Sequence, residues 1–92
     1  MSQISVERKH SLGRDVAREK AQVLVEKLVS KYDIKAQWEG DTVEVKRSGA
    51  NGLISIDDDT IRVDLKLGMM LSMMSGTIES EIERVLDKAL QA

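Results

Sequence analysis

The chain has 92 residues, 41% of them apolar and 33% charged, with 14 basic and 16 acidic side chains for a formal charge of −2. That length makes one domain, residues 1–92, which buries only about 60–65% of its unfolded surface and so has a small core. The charge balance lacks the basic surplus of a general nucleic-acid or anionic-membrane binder, and the absence of Cys excludes disulfides, thiolate chemistry and Cys-based zinc sites.

Residues 3–8 alternate, with Ile4 and Val6 on one side and Gln3, Ser5 and Glu7 on the other, which predicts a half-buried strand. His10-Ser11-Leu12-Gly13 breaks that pattern. Ser11 is the expected helix N-cap, with Asp15 favoured by the dipole in the first turn. From Gly13 to Tyr32 the period is helical, and Ala17, Ala21, Leu24, Val25, Leu28 and Tyr32 share one arc. Val16 and Val23 are expected to widen it.

Four strands follow. Lys35–Glu39 places Ala36 and Trp38 on one face, Thr42–Arg47 turns Val43 and Val45 inward, and Leu53–Ile56 carries Ile54 and Ile56. Thr60–Leu67 alternates most cleanly, with Ile61, Val63, Leu65 and Leu67 against Arg62, Asp64 and Lys66. The turns between them are Gly40-Asp41, residues 48–52 and Asp57-Asp58-Asp59. One apolar and one polar face per strand belongs to an antiparallel sheet with one wet side. Short connections favour a meander. The last helical region starts near Gly68, and Ile78, Ile82, Val85, Leu86, Ala89 and Leu90 form its apolar arc, with Glu79, Glu81, Glu83 and Asp87 outside. A kink or restart is expected at Ser75-Gly76-Thr77. The fold class is therefore α+β, ordered β-α-β-β-β-β-α, with two helices on one face of a five-stranded antiparallel sheet.

Apart from Met1, every methionine lies in Met69-Met70-Leu71-Ser72-Met73-Met74. Methionine is flexible and polarizable, suited either to filling gaps in a core without Phe or to adaptable binding surfaces. On a helix continuous with the last one, Leu71 and Met74 join the buried arc, Met70 lies at its edge, and Met69 and Met73 point away. Arg8 and Arg47 have inward parity near strand ends. They could hold a carboxylate or phosphate, or else reach water or pair with helix carboxylates. Trp38 also has inward parity, as a core residue or at a cavity mouth. His10 reads as a corner residue, and Asp57–Asp59 lacks the pattern of a calcium loop. Gly49–Gly52 lacks the context of a phosphate loop. One His, no Cys and carboxylates mostly at polar parity argue against an enzyme. No cofactor or metal is expected.

Motifs along nearly the whole chain carry a family resemblance. They are Ile4-x-Val6-x-Arg8-x-His10-Ser11-Leu12, Trp38-Glu39-Gly40-Asp41, Arg47-Ser48-Gly49-x-x-Gly52, Asp57–Asp59, Lys66-Leu67-Gly68, and Gly76-x-Ile78-Glu79 with Glu81-Ile82-Glu83. In this order they resemble the polyhydroxyalkanoic acid system proteins of bacterial granule gene regions. Members often carry Pro where this chain has Thr77, which leaves the helix break less sharply defined. The resemblance implies a cytoplasmic bacterial protein linked to polyester storage through granule association; it implies no known activity and offers no catalytic residues to carry over. The element order also resembles a shortened helix-grip fold of the Bet v 1 type, in which a C-terminal helix crosses a curved sheet.

These readings lead to one expectation and one alternative. The first is a non-enzymatic accessory protein that contacts a granule surface, a granule-associated protein or a second copy of itself through the Met-rich segment. The alternative is a carrier with a hydrophobic acyl ligand between sheet and C-terminal helix, near Trp38, Arg8 or Arg47. No targeting core is visible near the N-terminus, and Leu65–Met74, broken by Lys66, Gly68 and Ser72, is far short of the ~20 residues of a membrane span.

Overall fold

A computed structural model describes residues 2–91. Its elements are β1 (Ser2–Lys9), α1 (Arg14–Tyr32), β2 (Lys35–Glu39), β3 (Thr42–Arg47), β4 (Ala50–Ile56), β5 (Thr60–Leu67), α2 (Met69–Ser72) and α3 (Ser75–Ala89). The strands form one antiparallel sheet in the order β1-β5-β4-β3-β2. Strands β2 to β5 are the expected meander, and β1 closes onto the far side of β5, the strand most distant from it in sequence.

The inward residues of the strands, among them Ile4, Val43, Ile54, Ile61, Val63 and Leu65, are almost wholly buried. They meet Ala17, Ala21, Leu24, Val25 and Leu28 of α1 and Ile78, Ile82, Val85 and Leu86 of α3 in a single cluster. Both helices lie on this face and touch each other, α1 over β2 and β4, α3 over β1. Ala17 and Ala21 are fully buried, and their small side chains let α1 approach the sheet closely.

Several sequence expectations need correcting. Ser11 does not cap α1. Gly13 precedes the helix, its carbonyl accepts the Ala17 N–H at 3.0 Å, and no side chain caps the end. Val16 and Val23 do not widen the buried stripe but are exposed, because the stripe already fills the contact with the sheet. Strand β4 starts at Ala50, three residues before the expected Leu53. The turn before it contracts to Ser48-Gly49, with Gly49 at φ +84°, a conformation glycine adopts without steric cost. Gly52 lies within the strand, where a Cβ would run into the Asp64 carbonyl oxygen and come within 2.9 Å of Leu65 Cδ2. It serves close packing between β4 and β5 and not a turn.

The C-terminal helical region is divided. Met74 N–H donates to the Leu71 carbonyl at 3.0 Å, and the Met74 carbonyl accepts the first α3 bond, from Ile78. The break therefore falls at Met73–Met74, not at Ser75-Gly76-Thr77, which form the first turn of α3.

Candidate functional site

The break sets the fate of the methionines. Met74 is the N-cap of α3, so the helical phase restarts there and the segment is not aligned with the buried arc of α3. Met69, Met70 and Met73 are 83%, 87% and 91% exposed, and Met74, expected in the core, is 42% exposed. The segment nonetheless has fixed attachments. Gly68 N–H donates to the Gly49 carbonyl at 2.7 Å, and Ser72 Oγ donates to the Gly68 carbonyl at 2.9 Å. Leu71 is partly buried against the core. Leu71 is thus the apolar anchor, as expected, and four methionines are left in water beside it. Removal of a Met side chain from water is favourable by roughly 1.5–3 kcal/mol, a gain the fold leaves unused at Met69, Met70 and Met73.

The outer face of the sheet runs up to this segment. The register places Gln3, Lys66, Asn51, Lys46 and Lys35 in one row across β1, β5, β4, β3 and β2, one residue in from the end. Lys35, Lys46 and Lys66 are exposed. Among the described residues none of the three has an ion-pair partner. The next row carries Asp64 and Glu44, and Asp64 is held by Arg62 Nε at 3.0 Å and by Ser5 Oγ at 2.9 Å.

The other sequence-predicted residues do not join this site or one another. Arg8 and Arg47 lie at opposite ends of the sheet. Arg8 Nη2 meets Glu83 Oε2 at 2.9 Å and its Nε meets Asp87 Oδ1 at 2.7 Å, and these hydrogen bonds raise its pKa above the ordinary guanidinium value. It clamps β1 to α3. Arg47 Nη1 donates to the Tyr32 carbonyl at 2.6 Å and satisfies the C-terminus of α1. Trp38 is half-buried at the β2 edge, donating Nε1–H to Gln22 Oε1 at 2.9 Å, with the Arg18 guanidinium 5.1 Å from the ring centre. It borders a shallow hollow of about 430 Å³ with Asp15, Arg18, Glu19 and Gln22. His10 Nδ1 accepts the Leu12 N–H at 3.1 Å while Nε2 lies 3.2 Å from the Asp57 carbonyl, so the ring joins two loops.

The model of the family described as "Putative polyhydroxyalkanoic acid system protein" matches residues 4–90. The chain belongs to this family. No curated protein and no solved structure matches it, so the helix-grip likeness rests on element order alone. Membership links the chain to polyhydroxyalkanoate systems. Among the described residues no helix is long and apolar enough to cross a membrane.

In this family member the motifs that carried the resemblance build the scaffold. Arg8 reaches Glu83, Asp41 accepts Arg14 Nη1 at 2.9 Å, Gly49 receives Gly68, and Gly52 admits the β5 backbone. None of those motifs contains a methionine. One residue of these motifs lies elsewhere than its sequence position predicts. Glu81, placed outside the α3 arc by its sequence position, is buried between the helices, with Lys31 Nζ at 3.1 Å and Arg84 Nη2 at 2.6 Å. The hydrogen bond from Lys31, followed by the charges of Arg84, Lys31 and Lys27, lowers its pKa against the opposing effect of burial. Arg84 at i+3 was visible in the sequence. Lys31 was not, because it reaches Glu81 only through the packing of α1 on α3.

Proposed function

We propose that this chain is a non-enzymatic accessory protein of polyhydroxyalkanoate storage that docks through its methionine end onto a granule surface, a granule-associated protein or a second copy. The observation that carries this reading is the exposure of Met69, Met70 and Met73 on a segment whose backbone is tied down at Gly68 and Leu71. Apolar side chains on an anchored turn cost little entropy to bury against a partner, because the backbone is already ordered.

The acyl-carrier alternative has less support. Ile4, Leu24, Leu28, Ile54, Ile61, Leu65, Ile82 and Leu86 fill the space between sheet and helices, each under 2% exposed. A hollow of about 900 Å³ bordered by Arg47, Lys35, Lys46 and Glu44 lies outside the sheet–helix core and opens at the surface, as do those lined by Trp38, by the outer sheet face and by Glu81 with Arg84.

Sedimentation with isolated granules tests the docking reading. The Met69→Gln/Met73→Gln protein is expected to lose association, or dimerisation if the partner is a second copy, while its melting temperature stays unchanged. Undiminished association in that variant defeats the reading.

A further inference from the structure

A net charge of −2 argues against binding to an anionic surface only if charge is spread evenly, and in this fold it is not. Lys35, Lys46 and Lys66 stand in one exposed row across the outer sheet face, without ion-pair partners among the described residues. Neighbouring strands lie about 4.8 Å apart, so Lys35 and Lys46, directly opposite in the register, face each other at that spacing. Like charges directly opposite are destabilising, and although Glu44 lies in the next row of the same face, neither lysine makes an ion pair with it or with another described carboxylate. Lys66 precedes Met69 by three residues, and Gly68 N–H binds the carbonyl of Gly49 in the β3–β4 turn, two residues beyond Arg47 and three beyond Lys46. Two locally unfavourable features, unpaired lysines and exposed methionines, therefore meet at one end of the molecule.

We propose that this end binds an anionic lipid surface, with the Met69, Met70 and Met73 side chains entering the acyl boundary and Lys35, Lys46 and Lys66 meeting the headgroups. The proposal rests on the docking reading above and names the chemistry of the partner. Three unbranched apolar side chains, each more than four-fifths exposed, stand out from the body. Projecting apolar groups beside lysines suit an interface that is fluid and negatively charged. A protein partner would be met by buried aromatic or Arg anchors. The two aromatics are engaged elsewhere, Trp38 with Gln22 and Tyr32 partly buried against the core, and Arg47 is committed to the Tyr32 carbonyl. A second copy is disfavoured because a two-fold contact through this end presents the same lysine row from both subunits.

Co-sedimentation of the full chain with vesicles decides the matter, using phosphatidylcholine alone and phosphatidylcholine mixed with phosphatidylglycerol. The expected result is binding to the mixed vesicles, little to phosphatidylcholine, and progressive release as salt is raised. Lys35→Gln/Lys46→Gln/Lys66→Gln should weaken partitioning by roughly tenfold or more, given the attraction of each lysine near an anionic surface. Met69→Ser/Met70→Ser/Met73→Ser should weaken it as well, while Lys9→Gln/Lys88→Gln, at the other end, should leave it intact. Circular dichroism should be unchanged in all three variants, and none should melt lower than the parent; the lysine variant should melt at the same temperature or slightly higher, since it removes a like-charge pair. Equal binding to both vesicle types, no binding to either, or undiminished binding by the lysine variant overturns the proposal. Capture by immobilised polyglutamate without vesicle binding overturns it in favour of an acidic protein. If vesicles fail while the Met69→Gln/Met73→Gln protein still leaves granules, the docking reading stands and only the lipid assignment falls. If both fail, both fall.

Discussion

At the end of the sheet where β2 turns into β3 and β4 into β5, the arginines are paired internally, while Lys9 is exposed and without an ion-pair partner among the described residues. Arg14 joins Asp41 at 2.9 Å and Asp58 at 3.2 Å, Arg8 joins Glu83 and Asp87, and His10 connects the loop after β1 to the Asp57 carbonyl. At the opposite end Lys31 is paired with Glu81, but Lys35, Lys46 and Lys66 have no ion-pair partner among the described residues, and the methionines are exposed. The backbone is equally well held at both ends, by Gly68–Gly49 and Arg47–Tyr32 at the one and by His10–Asp59 and Asp57–Thr60 at the other. The difference is thus confined to side chains. It teaches that exposure at the methionine end is a property of a built surface and not of loose chain. The prediction is a division of labour. Substitutions at the ion-paired end should change stability and leave docking alone, and side-chain substitutions at the methionine end should do the reverse.

The largest expected effect tests the claim that the backbone near the methionine end is structural. Gly52→Ala forces a Cβ against the Asp64 carbonyl and Leu65 and should cost about 1–3 kcal/mol by overpacking, read as a lower denaturant midpoint. A neutral result would mean that β4 and β5 separate easily there, and the comparison would lose its rigid scaffold. Arg8→Ala should cost about 1 kcal/mol, since its partners are partly exposed and such pairs contribute little singly. Its granule or vesicle association should match the unaltered chain.

Glu81 sharpens the boundary between the two ends through pH. Its folded pKa lies below the ordinary value of 4.5, so its contribution is fully present above that value. It is lost as pH falls through the lower folded value. In Glu81→Gln, melting temperatures should be lower at neutral pH and should fall less steeply below about pH 4.5, the unperturbed value. An unchanged acid limb would show that the Lys31 contact is not made in solution. The smallest effect belongs to Met69→Ser/Met70→Ser/Met73→Ser, whose stability should stay within about 0.5 kcal/mol of the parent, as for exposed sites generally. A large loss would place those side chains in the core and remove the contrast between the ends.

The periodicities of 2 and 3.6 were sufficient to read the strands, both long helices and most of the core, because each inward residue of β3, β5 and α1 is marked by its own neighbours. Local chemistry was less informative at boundaries. Ser11 is a good capping residue, yet the chain reaches α1 through Gly13, since the loop is held by His10 and Asp59 before Ser11 can act. Residues 48–52 look like one long turn, and only the pairing of Asn51 and Gly52 with β3 and β5 draws them into β4. Of the candidate site, Met69 to Met74 were visible as a cluster, but which of them would be exposed depended on where the helix restarts. Arg8 and Arg47 share an inward parity near strand ends, whereas the antiparallel register puts them at opposite ends of the sheet.

The sequence by itself determined the α+β class, the element order, the apolar faces and the family, all of which are written in short-range patterns and ordered motifs. Only the tertiary structure decided that β1 lies against β5, that Glu81 is buried with Lys31, and that Lys35, Lys46 and Lys66 form one row whose Lys66 end adjoins the methionine segment. The physical reason is register. Parity tells which face a side chain takes. Which residues become neighbours across strands depends on hydrogen bonds between segments far apart in the chain, and no local pattern contains that information.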